Sequence, residues 1–171
     1  MLFITTGGTI DKQPVYLQDG MTFDDDSRVF SETHLPEMLE KANFLAAYSI
    51  KTLFMLDSLE MTDEYRTEIA SAIEASDDNQ IIVTHGTDTM PETARFLNQD
   101  SRLAAKTIVL TGSMIPYSVG ERSDAMFNLG NALAYAQSLQ SGVYVAMNGH
   151  AFDADNVRKD KQAGVFRTLQ Q

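Results

Sequence analysis

Five short apolar runs, separated by stretches with helical spacing, constrain what this chain can fold into. Leu2-Phe3-Ile4, Leu53 to Leu56, Ile81-Ile82-Val83, Ile108-Val109-Leu110 and Val143 to Met147 are continuous rather than alternating, the pattern of strands buried on both faces. Between them, Leu35, Met38, Leu39 and Ala42 repeat with the helical period. So do Tyr65, Ile69, Ala72 and Ile73; Met90, Ala94 and Leu97; and Met126, Leu129, Leu133 and Ala136. Thr62 before Asp63-Glu64 and Ser123 before Asp124 are positioned as helix caps, with the acids set against the helix dipole. Strand and helix therefore alternate, which predicts an α/β fold: a three-layer domain with a mostly parallel sheet and helices on both faces. At 171 residues, without an internal repeat or a linker-like tract, the chain reads as a single domain over 1–171. A domain of that length buries about 70% of the surface its unfolded chain exposes, enough for a core without staples.

Composition narrows the function. There is no cysteine, so thiolate zinc, iron–sulfur and cysteine-nucleophile chemistry are excluded. Thirteen basic residues against 24 acidic ones leave a net charge of −11, which argues against nucleic acid or an anionic membrane as a partner. No apolar run approaches the ~20 residues of a membrane span. The opening Met1-Leu2-Phe3-Ile4-Thr5-Thr6 has no basic region of the signal-peptide type, so a cytoplasmic location is expected. His34, His85 and His150 show no metal-ligand spacing.

In a parallel α/β sheet, ligands sit at the carboxyl ends of the strands. The first strand is followed by Thr6-Gly7-Gly8-Thr9-Ile10-Asp11, a tight turn with a hydroxyl just beyond it. It lacks the Lys-Ser/Thr ending of a phosphate loop and the G-x-G-x-x-G of a dinucleotide site, and by itself it is ordinary turn chemistry. The third strand leads into Thr84-His85-Gly86-Thr87-Asp88-Thr89-Met90, where Asp88 or Thr89 either caps the next helix or serves a site. Thr111-Gly112-Ser113 and Ser123-Asp124 follow the fourth strand, and Lys159 comes after the fifth. The stretch from Asp11 to Phe30 fits neither period; it reads as a long connection of the lid, binding-loop or disordered kind, with the acids Asp24-Asp25-Asp26 as a solvated surface. Two threonines on separate turns, an adjacent carboxylate and a lysine from a third strand end can together form a hydroxyl nucleophile with a proton relay.

Thr6-Gly7-Gly8-Thr9-Ile10 and His85-Gly86-Thr87-Asp88-Thr89-Met90, in this order, resemble the two signatures of the bacterial-type L-asparaginase/glutaminase family. The similarity continues through Asp57-Ser58-Leu59-Glu60-Met61, Leu110-Thr111-Gly112-Ser113, Ser123-Asp124, Asn128-Leu129 and Val145-Ala146-Met147-Asn148. It covers essentially the whole chain, but only the N-terminal domain of that family. The resemblance implies Thr9 as nucleophile, with Thr87, Asp88 and Lys159 as second threonine and acid–lysine relay. It makes Tyr16 the lid tyrosine and sets Ser58, Leu59, Gly86 and Asp88 against the substrate. The implied reaction is hydrolysis of the side-chain amide of L-asparagine, or a related amino-acid amide, to aspartate and ammonia through a threonine acyl-enzyme. The order of attack between Thr9 and Thr87 stays open, and no metal or organic cofactor is implied.

Two departures bear on this. Leu59 stands where family members often carry a polar residue touching the substrate's amino group, and Glu60 replaces the more usual Asp. The family's C-terminal domain, which supplies an acid to a neighbouring subunit's site and much of the dimer contact, has no counterpart in these 171 residues. A homodimer is therefore expected. Beside the amidohydrolase stand two other readings: a non-catalytic amino-acid-binding module, and an incomplete subunit that needs a partner chain.

Overall fold

The computed structural model describes residues 1–13, 15–17, 20–22 and 32–169. Its elements in chain order are β1 (Leu2–Gly7), β2 (Val15–Leu17), β3 (Gly20–Thr22), α1 (Leu35–Lys41), β4 (Ser49–Leu56), α2 (Asp63–Glu74), β5 (Gln80–Thr84), α3 (Met90–Asn98), β6 (Thr107–Thr111), α4 (Ala125–Ser138), β7 (Gly142–Met147), β8 (His150–Asp153), β9 (Arg158–Asp160) and β10 (Val165–Arg167). The main sheet has the order β4-β1-β5-β6-β7-β8. Its first five strands pair in parallel, and β8 runs antiparallel to β7.

Alternate residues of the inner strands serve two separate cores. Leu2, Ile4, Ile81, Val83, Ile108, Leu110, Val143 and Val145 pack with Ile69, Ile73, Ala94 and Leu97 of α2 and α3. Phe3, Ile82, Val109 and Ala146 pack on the other face with Leu35, Met38 and Leu39 of α1 and Leu129, Ala132 and Leu133 of α4. The fold is thus the expected three-layer α/β domain. Because both faces of β1, β5 and β6 are covered, their sequences are apolar without alternation. The edge strand β4 differs: its first half is largely exposed and carries Lys51, and only its second half reads as an apolar run.

Three features depart from the sequence reading. The run ending at Met147 turns back through Asn148 and Gly149, both with positive φ (54° and 80°), and forms the β7–β8 hairpin with Met147 opposite His150. Part of the supposed long loop is a short hairpin, β2 with β3, whose three-residue strands are too brief to display a period. The acids Asp24-Asp25-Asp26 lie outside the described residues. The helix caps also differ. Thr62 does precede α2, but its side chain makes no capping bond. At α4 the Ser123 hydroxyl accepts the Ala125 N–H at 3.1 Å, while Asp124, at the N-cap, turns its carboxylate to the Met114 and Ile115 N–H groups.

The carboxyl ends of the strands approach one another through glycine. Gly7 and Gly8 have φ of +86° and +85°, and a Cβ on Gly8 would lie 2.4 Å from N and Cα of Gly86. A Cβ on Gly86 would lie 2.5 Å from Cβ of Ser58. The turn after β1 is therefore packed backbone against backbone on the turn after β5, which in turn lies against the Ser58 side chain after β4, and the Thr6 hydroxyl adds a bond to the Thr84 carbonyl at 2.9 Å. Gly8→Ala combines a strained φ with a clash against backbone that cannot rotate away. It is expected to cost about 3 kcal/mol, a fall in Tm of roughly 6–12 °C by thermal unfolding. An unchanged Tm would mean that the contact is dispensable.

Candidate active site

Behind the stacked turns lies a cavity of about 330 Å³ lined by Gly8, Thr9, Lys12, Asp57, Ser58, Leu59, Thr87, Asp88, Met114 and Lys159. Thr9 begins a single 3-10 turn, Thr9–Asp11, that β1 feeds through Gly8. No hydrogen bond ties its half-buried hydroxyl to another described residue. Ser58 begins the 3-10 turn after β4, where the Asp57 side chain accepts the Leu59 N–H at 3.0 Å. Thr87 and Asp88 belong to the turn between β5 and α3. The Asp88 N–H reaches the Ser58 hydroxyl at 3.3 Å, and the Thr89 hydroxyl donates to the Ser58 carbonyl at 2.7 Å. Neither Asp88 nor Thr89 makes a side-chain cap on α3.

Lys159 closes the far side. Its Nζ lies 2.8 Å from Thr87 Oγ1 and 2.8 Å from Asp88 Oδ1, with the lysine side chain 14% exposed. Its position is built by the β9–β10 hairpin, in which Lys159 pairs with Phe166. Val157 and Phe166 are buried in the core beneath, and the Phe166 N–H donates to Asn148 Oδ1 at 2.8 Å. Asn148 is held in turn by Asn128, whose Oδ1 accepts the Asn148 N–H at 3.2 Å and whose amide donates to the Gly112 carbonyl and to Asp124. The lysine is thereby referenced to the ends of β6 and β7.

Of the residues singled out from sequence, Thr9, Thr87, Asp88, Lys159, Ser58 and Leu59 share this one cavity. Leu59 is 69% exposed at its wall. Gly86 is buried behind the wall, against Ser58. Tyr16 has its backbone in β2, opposite Met21; its side chain lies outside what the structure describes. The sequence reading gave no role to Lys12, Asp57 or Met114. Lys12 and Asp57 form an ion pair at 3.4 Å inside the cavity wall. Their signal was adjacency, each being within three residues of a residue already chosen. A larger hollow of about 630 Å³ lies by Glu37, Lys41 and Tyr117, but Lys41 there is occupied by Glu37 at 2.7 Å and by the Tyr117 ring. Of these two, the smaller cavity is the one that joins two threonine hydroxyls to a lysine–carboxylate pair among the described residues.

Residues 1–168 match the family model described as Asparaginase, N-terminal. The chain belongs to the asparaginase family. It is 36% identical over 136 residues to the probable periplasmic L-asparaginase of Haemophilus influenzae, covering 77% of this chain and 37% of that protein. The thermostable L-asparaginase of Thermococcus kodakarensis superposes with a TM-score of 0.79 at 28% identity, covering 99% of this chain and 51% of that one. The probable cytoplasmic L-asparaginase of Campylobacter jejuni gives 0.76 at 29% identity, covering 98% and 50%. This asparaginase-family chain spans about half the length, or less, of these relatives. Both a periplasmic and a cytoplasmic protein are among them, so membership leaves its compartment open. Among its described residues no helix is long and apolar enough to cross a membrane.

Two buried titratable groups flank the cavity. His85 is fully buried; Nδ1 lies 2.7 Å from the Gly86 carbonyl and Nε2 3.0 Å from Thr93 Oγ1, and burial pushes its pKa down to about 4. It is a neutral residue of the turn's support. Asp11 is 1% exposed, directly after Thr9-Ile10. Its Oδ1 accepts the Thr33 hydroxyl at 3.0 Å and the His34 N–H at 2.8 Å, while Oδ2 has no partner among the described residues. Burial outweighs these two bonds and raises its pKa from 3.8 to about 6. A carboxyl whose folded pKa exceeds its unfolded one stabilises the fold as the protonated form. That contribution is full below pH ~4 and lost as pH rises through about 6, with a total of about 2–3 kcal/mol. Asp11→Asn keeps an acceptor for both donors. It is expected to raise stability by about 2 kcal/mol at pH ~7.5 and to change little at pH ~4, measured by urea unfolding at the two pH values. An equal effect at both would exclude ionisation of Asp11 as the cause.

Proposed function

We propose that this chain is an amidohydrolase that cleaves the side-chain amide of L-asparagine, or of a related amino-acid amide, to the acid and ammonia. The observation that carries the reading is the contact of Lys159 Nζ with both Thr87 Oγ1 and Asp88 Oδ1 at 2.8 Å, across a cavity that also exposes Thr9. A threonine hydroxyl is a weak nucleophile at its own pKa and needs a partner that moves its proton.

In this reading Thr9 Oγ1 attacks the amide carbon and forms a C–O bond. Its proton goes to the leaving nitrogen, the C–N bond breaks, and ammonia departs from an acyl-enzyme. Water then adds to the ester carbon, the Thr9 oxygen leaves with a proton, and the carboxylate product is released. Thr87, Lys159 and Asp88 pass these protons, and backbone N–H at the Thr87 turn stabilises the oxyanion, a contact of a kind worth ~10²–10³ in rate. Ser58 receives the substrate's carboxylate. Tyr16, from the segment that follows the nucleophile turn, serves as the lid tyrosine. No step calls for a metal or an organic cofactor. A homodimer belongs to the same proposal: Leu59 on the cavity wall and Ile115 beside Met114 are exposed, and a second copy would cover them.

Ammonia release from L-asparagine by the purified chain tests this directly. Thr9→Ala and Lys159→Met are each expected to lower kcat by at least ~10³ with the fold intact by circular dichroism. Calorimetric binding of L-aspartate without any ammonia release would instead identify an amino-acid-binding module. Activity that appears only on adding a second chain would identify an incomplete subunit. Sedimentation at assay concentration is expected to give a dimer, and a fully active monomer would remove the functional part of that expectation.

A further inference from the structure

Four charged side chains line the cavity among the described residues: Lys12, Asp57, Asp88 and Lys159. Three of them are committed to internal partners. Lys159 serves Thr87 and Asp88, both at 2.8 Å. Asp57 gives Oδ1 to the Leu59 N–H at 3.0 Å and Oδ2 to Lys12 at 3.4 Å. Asp88 gives Oδ1 to Lys159. Lys12 differs, because its ion pair is long and an ammonium carries three donors. Its side chain is only 13% exposed, so the charge is held close to the cavity with little water around it. An anion entering the cavity would therefore meet donors that no other described residue takes up.

A cation would fare worse. One oxygen, Asp88 Oδ2, has no partner among the described residues, and its carboxylate is already neutralised by Lys159. The neighbouring wall position is Leu59, whose side chain offers no acceptor and which stands 69% exposed. The cavity is thus better equipped for a carboxylate than for an ammonium. The geometry also relates the cation to the nucleophile. The Lys12 N–H closes the Thr9–Asp11 turn on the Thr9 carbonyl at 3.1 Å, and the Ser118 hydroxyl pins the Lys12 carbonyl at 2.9 Å. Thr9 and Lys12 are therefore spaced by one rigid turn.

We propose that Lys12, beside Ser58, is the residue that recognises the substrate's carboxylate, and that the site takes ω-amides of short dicarboxylic acids through that anion, whether or not an α-amino group is present. This rests on the amidohydrolase reading for its turnover, but not for its binding. Succinamate keeps the carboxylate and lacks the ammonium; β-alaninamide keeps the ammonium and lacks the carboxylate.

With the full chain, kcat/KM for succinamate is expected within about tenfold of that for L-asparagine, and for β-alaninamide at least ~100-fold lower. Lys12→Met is expected to raise KM for succinamate by about tenfold or more with kcat changed less than about threefold, and to weaken calorimetric binding of succinate in the same proportion. Asp57→Asn added to Lys12→Met is expected not to restore binding. β-Alaninamide as good a substrate as succinamate, an unchanged KM, or restoration by Asp57→Asn would each overturn the proposal; the last would make Lys12 only the counter-ion of Asp57. If no amide is turned over while succinate binds in a Lys12-dependent way, the hydrolase reading falls and the carboxylate site stands. Ammonia release with succinate binding indifferent to Lys12 gives the reverse, and neither signal removes both.

Discussion

The close approach of Gly8 to Gly86, and of Gly86 to Ser58, is the constraint on which the candidate site depends. Parallel strands of a sheet lie about 4.8 Å apart, so three successive strand ends deliver their turns side by side at no extra cost. Bringing them this close is another matter, since any Cβ at Gly8 or Gly86 would overlap its neighbour. Removing two side chains lets the hydroxyls of Thr9, Ser58 and Thr87 surround one cavity rather than line a ridge. The conformational entropy that these glycines lose on folding is offset by the two cores on either face, which bury β1, β5 and β6 completely apart from the ends.

Lys159 reaches the same cavity by a different principle. It comes from a two-stranded hairpin outside the main sheet, and such a hairpin is marginal by itself in water. Its stability is borrowed: Val157 and Phe166 enter the core, and Phe166 is bonded through Asn148 to the fully buried Asn128. Asn128 spends its donors on Gly112 and Asp124 and its acceptor on Asn148, so a buried amide is satisfied while three segments are fixed relative to one another. A lysine on four rotatable bonds needs such a reference if its ammonium is to sit at hydrogen-bond distance from both Thr87 and Asp88.

The layered architecture was legible because burial on both faces removes alternation from the inner strands, and Ile81-Ile82-Val83 or Ile108-Val109-Leu110 leave no polar position to misread. The cavity's hydroxyls and its lysine–carboxylate pair were legible as paired signatures at strand ends. What escaped has local causes. Asn148-Gly149 is a strong two-residue hairpin signal, but it followed an apolar run already read as a parallel strand, and β8 was missed with it. β9 and β10 are three residues each and owe their existence to Phe166 in the core, a tertiary effect with no local pattern. Ser123 and Asp124 do mark the start of α4, yet Asp124 bonds the N–H groups of the Met114 loop rather than the helix's own. Asp11 and Lys12 sit in plain view after Thr9, but nothing in a linear sequence separates a buried acid or a cavity-lining lysine from solvated ones.

The charge of the whole molecule and the charge of the cavity pull in opposite directions. A net charge of −11 makes the surface repulsive to an anionic substrate at long range. At physiological salt, however, that field is screened over about 8 Å, while groups inside a partly closed cavity are screened far less. What an entering carboxylate experiences is therefore set by Lys12 and Lys159 and by how far Asp57 and Asp88 have already cancelled them. Matched pairs keep the empty cavity close to neutral, which limits the desolvation cost of holding four charges there. The length of the Lys12–Asp57 contact, 3.4 Å against 2.8 Å for Lys159–Asp88, leaves the first pair as the one that can still respond to a ligand. In the proposed reaction, binding and proton transfer thus fall to different lysines of the one cavity. On that proposal the Lys159–Asp88–Thr87 contacts can stay tight while Lys12 turns to an entering anion.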